Sequence, residues 1–541
     1  MSFMGMYKFA WTVLIATLVL VIGAASGCSR QSDTSGSSPD QDGAESKTGG
    51  AHNGGRETIE IFSYNSNTGN RLPPEDEDFV KRTIEEKFDV KLILTYDVGE
   101  GTERYKKLDV RLASNDSPDL ILSGGIQALE YKKNGILADI NEFVSPEKMP
   151  NYFRWMTPDV VFKRFALDKS KTEIQRIPIP VMRRPQVSYF IRQDWLDTLG
   201  LKVPSNLDEF MKAAHAFTFG DPDGNGINDT YGFSLSANGV GTSFDWPQFA
   251  ANGIEGTLYM KNNALVHFQM DVRTEAVLRD IRKMIEDGSV DPNWFLQKGT
   301  AHIEKAIQGK VGIIRDTSGT FGLESVPASG ASRSKQIYPG ASWTAFNPNE
   351  GVPFYQESLP SFGVIVTKTA ARNSEKVRKS FEILDYLSSE EGYLLTHYGI
   401  EGVHYTRSGN VITILPGNVK KDIEDKGNWL ALYQVFNQDE PQTIGLEVVD
   451  PRVTDKDRET IKKIKSYPIS DSIGTNVAPP EGVDLKAQAM LENETMAKIA
   501  LGELPPEQWR KTLDTIMSEM GGKALLESYV EQIKAAGVII K

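Results

Sequence analysis

One cysteine stands in 541 residues. That excludes an intramolecular disulfide, a four-cysteine zinc site and a CxxC redox pair. A basic surplus is missing too: 73 Asp+Glu face 60 Lys+Arg, for a formal net charge of −13. A general nucleic-acid binder needs the opposite balance to displace phosphate counterions. Histidine is scarce, with only 6, at His52, His215, His267, His302, His397 and His404. They are scattered; His397 and His404 are seven apart, with no acid or cysteine partner in ligand spacing, and surface or packing roles are expected. The chain has no GxxxxGK[ST], no GxGxxG after a strand, no HExxH and no GxSxG. The common nucleotide, zinc-protease and serine-hydrolase sites are thereby removed. A glycoside hydrolase needs only two suitably spaced carboxylates, and residues alone leave that class open.

What the sequence does contain begins with the setting of that single thiol. Lys8 precedes an apolar run from Phe9 to Ile22, then Gly23-Ala24-Ala25-Ser26-Gly27 and Cys28. A basic start, an apolar stretch and small residues at the cut form the layout of a secretory signal. The run is shorter than the roughly 20 residues a spanning helix needs. Ala25-Ser26-Gly27-Cys28 resembles the bacterial lipobox, with Ala25 where Leu is usual. The expectation is a signal peptide over 1–27 and a lipid on Cys28. Residues 29–56 are mostly Ser, Gly, Asp, Asn, Gln and Thr, with no aliphatic residue larger than Ala. Such a segment cannot bury enough apolar surface to offset its ordering entropy, so 28–56 reads as a lipid-anchored tether.

The folded body is expected from residue 57. Thr58–Tyr64 alternates as a strand, 75–88 has helical spacing, and Val90–Leu94 reads as a second strand. A helix over 103–115 and the short strand Asp119–Leu122 follow. This rhythm implies a mainly parallel sheet with helices on its faces. Ligands of such sheets sit beyond the carboxyl ends of the strands, which makes Tyr64, Asn65, Ser123, Gly124 and Gly125 candidates. Further on, a helix is expected over 205–217, capped by Ser205 with Asp208, and another over 374–388. The last 55 residues or so read as helical, with Pro505-Pro506 opening one helix and Gly521-Gly522 closing it.

Asp221-Pro-Asp223-Gly-Asn225-Gly226-Ile227-Asn-Asp229 matches the front of a twelve-residue EF-hand calcium loop. Side-chain oxygens fall at Asp221, Asp223, Asn225 and Asp229, Gly226 permits the sharp turn, and Ile227 offers its carbonyl. Gly232 stands where the loop's bidentate Glu belongs. A structural Ca2+ site is expected, with water or a remote residue completing the shell.

Five blocks in order carry a resemblance. They are LASNDSPDLIL (Leu112–Leu122), NGILADI (Asn134–Ile140), IRQDWLDTLGLKVP (Ile191–Pro204), the calcium-like loop, and YLSSEEG with YGIEGVHY (Tyr386–Gly392 and Tyr398–Tyr405). With them the chain resembles the extracellular solute-binding lipoproteins of bacterial ABC importers, of the oligosaccharide- and alginate-binding kind, over about 57–541. The resemblance implies an α/β, two-lobed periplasmic-binding-protein-like (type II) fold, each lobe a sheet flanked by helices with the ligand cleft between. Crossings are expected near 178–188, 358–364 and 430–445. The lobes are then 57–180 plus about 361–435, and about 181–360 plus 436–541.

The implied function is capture of an extracellular carbohydrate, an oligosaccharide, by lobe closure and its delivery to the ABC permease. No catalysis and no nucleic acid are involved. A monomer held by its lipid at the outer face of a Gram-positive cell membrane is expected. A sensing subunit for the same ligand and a secreted glycoside hydrolase are the alternatives. Sugar sites pair aromatic faces with planar polar groups, so Tyr64, Asp245, Trp246, Trp343, Tyr355, Glu357 and Trp429 are the cleft candidates. Arg184 joins them as the cation for an acidic ligand.

Overall fold

The computed structural model describes residues 56–65, 69–98, 104–168 and 173–538. The expected signal peptide, Cys28 and all of the tether up to residue 55 lie outside the described residues. Two main sheets organise the described chain. The first has five strands, in the order Val90–Val98, Glu57–Asn65, Leu120–Gly124, Phe362–Ile365 and Ile177–Pro178. Its first three are parallel, and Phe362–Ile365 runs against Leu120–Gly124 and Ile177–Pro178. The second has Trp343–Phe346, Ser188–Arg192, Val311–Asp316 and Tyr231–Phe233 in that order.

Each sheet carries its own apolar core. The first core gathers Ile59, Leu92, Leu122, Ile177, Val364, Phe381, Trp429 and Phe436. Phe190, Trp195, Phe217, Trp246, Ile313, Trp343 and Tyr355 build the second. The chain therefore passes from first to second core between Ile179 and Val187, and returns between Tyr355 and Val364. The last change comes after Val449, because Glu447–Val449 still pairs with Val411–Ile414, and before Asp457, which accepts the amides of Glu324 and Ser325 at 2.8 and 2.9 Å. That is later than the 430–445 expected, since Trp429, Leu430, Tyr433 and Phe436 are all packed into the first core. These two cores, interleaved in sequence, are the two lobes.

Local differences have local causes. The first helix spans Phe79–Phe88 and not 75–88, because Asp78 accepts the Lys81 amide at 2.9 Å and so starts it. Helix Leu207–Phe219 is capped by Asn206, one residue later than expected: its Oδ1 accepts the Glu209 amide at 3.0 Å. The Glu209 carboxylate reaches back to the Ser205 amide at 2.9 Å and completes the reciprocal pair. The chain ends in helices Leu485–Ala500, Gln508–Ser518 and Gly522–Ala535. Among the described residues no helix is long and apolar enough to cross a membrane.

Candidate ligand-binding site

In both sheets the strand ends next to the crossings face the region where the lobes join. In the first lobe, Tyr64 and Asn65 close Glu57–Asn65, and Ser123 and Gly124 close Leu120–Gly124. The Tyr64 ring stacks on Phe362, the first residue of the return strand, with centroids 4.3 Å apart. The Arg104 guanidinium lies 4.9 Å from the Tyr64 ring and 5.5 Å from that of Phe362. Gln438 Nε2 donates to the Tyr64 hydroxyl at 3.1 Å. Burial pushes the pKa of that hydroxyl up, so it stays a protonated donor at neutral pH. Asn65 Nδ2 donates to the Asn70 carbonyl at 2.8 Å, and the Gly124 amide to the Tyr105 hydroxyl at 2.8 Å. Ser123 is fully buried, its hydroxyl turned onto the Gly124 carbonyl at 3.1 Å.

In the second lobe, Asp316 ends Val311–Asp316 beside Ser188, where the first crossing arrives. Asp245 is ion-paired with Arg315 and accepts the Ser243 hydroxyl at 2.7 Å. Its carbonyl is held by the Tyr189 hydroxyl at 2.8 Å. About a third of the Asp245 side chain stays open to solvent, at 33% — enough for a ligand hydroxyl to reach it.

Three aromatic candidates belong to cores instead. Trp246 is 1% exposed between Phe233 and Trp294. Trp343 is 4% exposed, set edge-on to Phe321, with its Nε1 donating to Ser334 at 3.1 Å. Trp429 is 0% exposed against Phe79 and Tyr433. None presents a ring face to a sugar. Their polar neighbours in sequence are turns that point outward while the indoles point in. Tyr355 is likewise buried against Phe354. Arg184 is a brace and not an open cation: its Nη1 donates to the carbonyls of Lys465 and Tyr467 at 3.1 and 2.6 Å.

Glu357 lines a cavity of about 700 Å³ beside the crossings, with Trp155, Arg164, Asn262, Asn263 and Asp471 among its walls. Both lobes contribute to this lining. Arg183, also in the lining, is ion-paired with Glu357, whose other oxygen accepts the Ser472 hydroxyl at 3.0 Å. Sequence reasoning did not select Trp155, Asn262 or Asn263. The last two form the tip of hairpin Leu258–Lys261 and Ala264–His267, both with positive φ. Asn-Asn between two strand-like stretches is a readable hairpin signal.

The calcium-like loop sits on the second lobe after helix Leu207–Phe219. Asp221 accepts the amides of Asn225 and Gly226 at 3.1 and 3.0 Å, and Asn225 Oδ1 accepts that of Ile227 at 2.7 Å. Asn225 Nδ2 donates to Asp223 at 2.9 Å and to Asp229 at 3.2 Å. Burial, then the neighbouring Asp221 and Asp229, raise the pKa of Asp223, while the Lys310 ammonium lowers that of Asp229. Hard oxygen donors crowded in one turn suit a hard cation. The side chains converge on Asn225, however, and no group of three or more His, Cys, Asp or Glu among the described residues is placed to hold a metal ion. Gly232 has a packing reason: a Cβ there would stand 2.2 Å from the Ala214 carbonyl oxygen and 2.3 Å from its Cα.

Comparison with known proteins gives the same architecture. The polygalacturonan/rhamnogalacturonan-binding protein YtcQ of Bacillus subtilis is 24% identical over 97% of this chain and 99% of its own length. The HMO-binding, ABC-transporter-associated solute-binding protein of Bifidobacterium longum infantis superposes with a TM-score of 0.66 at 16% identity, over 90% of this chain and 100% of that one. An EF-hand mutant of the Streptococcus pneumoniae ABC-transporter substrate-binding protein FusA, in complex with fructo-nystose, gives 0.62 at 17% identity, over 89% of this chain and 99% of that one. Residues 78–393, more than half of the sequence, match the family described as bacterial extracellular solute-binding protein. With two interleaved α/β lobes whose strand ends meet at the crossings, the chain belongs to the bacterial extracellular solute-binding proteins.

Proposed function

We propose that this protein captures an extracellular carbohydrate between its lobes and delivers it to the permease of an ABC importer, without turning it over. The observation that carries this reading is the meeting of both lobes' strand ends at the crossings, with an aromatic stack on one side and an open carboxylate on the other. A sugar offers hydroxyls to Asp245, the more open of these groups, while Tyr64 and Asn65, at 9% and 3% exposure, line the wall behind it and become contacts only as the lobes shift. The names of YtcQ and FusA add support, since both describe receptors for saccharides. Ligand contacts to both lobes favour the closed form, and closure proceeds only as far as that difference in affinity allows. We assign 57–180 and 361–449 to the first lobe, and 181–360 and about 455–541 to the second, on the core assignments above.

In the same reading the protein is a monomer, held by a lipid on Cys28 near its importer, which raises its local concentration there. We also propose that a calcium ion is taken up by Asp221, Asp223, Asn225, the Ile227 carbonyl and Asp229, once the Asn225 amide gives up its bonds to Asp223 and Asp229. It neutralises three crowded carboxylates and stiffens the turn after helix Leu207–Phe219.

A melting-temperature screen against mono- and oligosaccharides, with short peptides as controls, tests the reading. A ligand that binds only the folded state raises the midpoint, by about 2.7 kcal/mol of stability at a hundred times its Kd. A saccharide is expected to give that rise, with the glycan recovered intact. A rise with peptides alone, or cleavage of the glycan, would sink it.

A further inference from the structure

In the first lobe a buried arginine has no counter-charge among the described residues. Arg176 is 1% exposed. Its Nη2 donates to the Ser361 carbonyl at 2.8 Å, while its Nε has no partner. Among the described residues no carboxylate pairs with it, and its charged-form neighbours are the phenols Tyr105 and Tyr152. Burial pushes its pKa down to about 10, so the guanidinium is still charged at neutral pH. Burying an uncompensated cation is costly.

The side chain is given a route to one place. It starts at the edge strand and crosses Gly363, where a Cβ would stand 2.4 Å from Arg176 Nε and 2.5 Å from the Ile177 carbonyl. A side chain at 363 would block that path. The guanidinium arrives beside Gly125, where a Cβ would stand 3.9 Å from Nη1. Gly125 opens helix Gly125–Lys133, at the carboxyl end of strand Leu120–Gly124. No side chain caps this helix and its first turn has no acid. The Gly125 amide is taken by the Ser361 carbonyl at 3.0 Å, and the amides after it lack any side-chain acceptor. Ser361 and Ile126, which border the spot, are exposed, while the guanidinium behind them is 1% exposed. An uncapped helix N-terminus favours an anion, and here the Nη1 end of a buried guanidinium that has no counter-charge among the described residues lies beside the same point.

We infer that Arg176 and the N-terminus of helix Gly125–Lys133 form a site for a carboxylate of the ligand, so that the solute is an acidic saccharide. This rests on the carbohydrate reading above and narrows it. The ligand carboxylate supplies the counter-charge that the fold withholds from Arg176, and uronate-containing chains have such a group on every acidic ring. The site lies at the same strand ends as Tyr64 and Ser123, and adjoins the second crossing through Ser361.

Calorimetric titration of the mature protein with trigalacturonate, its fully methyl-esterified form and inorganic phosphate tests this. Three proteins are compared: the natural one, Ile126→Asp and Arg176→Met. Ile126 is 78% exposed, and an acid early in a helix is favourable, so Ile126→Asp keeps the fold even if Arg176→Met does not. The expected result is a preference of about ten-fold or more for the acid over the ester in the natural protein. Ile126→Asp, which puts a carboxylate into the site, should lose that preference and bind the ester within about two-fold of the natural protein. Arg176→Met, where it folds by melting temperature, should do the same. Equal binding of acid and ester by the natural protein, or an undiminished preference in Ile126→Asp, overturns the inference. Binding of phosphate but not of trigalacturonate overturns it as well. A neutral saccharide that binds where trigalacturonate does not also overturns it, yet leaves the carbohydrate reading standing. Peptide binding alone would remove both.

Discussion

Gly232→Glu is expected to destabilise the protein by about 3 kcal/mol and to add nothing to its calcium affinity. By loop arithmetic the opposite would follow, because Glu at the twelfth position supplies two oxygens. Packing decides the sign. A Cβ at 232 would stand 2.2 Å from the Ala214 carbonyl oxygen and 2.5 Å from its carbonyl carbon. These atoms belong to helix Leu207–Phe219, whose Ala214 and Phe217 are fully buried, so the helix has nowhere to retreat. The Gly232 amide is also taken by the Thr218 hydroxyl at 2.9 Å, which fixes the strand against the same helix. Chemical denaturation of the two proteins, each with calcium and with EDTA, measures the effect. In the natural protein calcium should raise the melting temperature and EDTA lower it. A variant as stable as the natural protein, with tighter calcium binding, would show that the helix yields and that the loop is an ordinary EF-hand. No response of the natural protein to either reagent would remove the ion from the account.

Cys28→Ser should move the protein from the membrane fraction to the medium. The sequence around the only cysteine has the three parts that a lipoprotein precursor needs, and nothing in residues 29–56 can hold a membrane. Stable attachment takes two acyl-chain signals or one chain with a basic patch. The tether has Asp33, Asp40, Asp42 and Glu45 against Arg30, Lys47 and Arg56, so it supplies no basic surplus and the lipid must do the anchoring alone. Fractionation followed by immunoblotting reads the outcome. Persistence of the serine variant at the membrane would make Phe9–Ile22 the anchor and Cys28 incidental.

How much of this was legible in the sequence varies with the range of the interaction. Strand Glu57–Asn65 and the end of strand Leu120–Gly124 are local patterns, so alternation and small residues place them. The strand between Leu120–Gly124 and Ile177–Pro178 is Phe362–Ile365, which arrives from far along the chain and has no local signal of its neighbours. Aromatic candidates failed for a related reason. Polar residues beside Trp246, Trp343 and Trp429 describe the exposed side of a turn, whereas the indoles follow the core behind it. The arginines show the limit most clearly. Arg183-Arg184 looks like the cationic feature, but Arg184 is spent on two carbonyls of 465–467. Arg176, at the end of the mostly polar run Lys171-Thr-Glu-Ile-Gln175 before Ile177-Pro178-Ile179-Pro180, looks like an ordinary surface cation. Its meaning comes from Ser361, Gly363 and Gly125, none of which is near it in sequence. The glycine at 363 is the one trace of the arrangement that sequence retains.

Capture by closure of two lobes on a saccharide is the central claim, and small-angle X-ray scattering of the mature protein with and without its saturating saccharide measures it directly. A smaller radius of gyration with ligand is predicted, at unchanged molecular mass. The same radius with and without a ligand that demonstrably raises the melting temperature would contradict it.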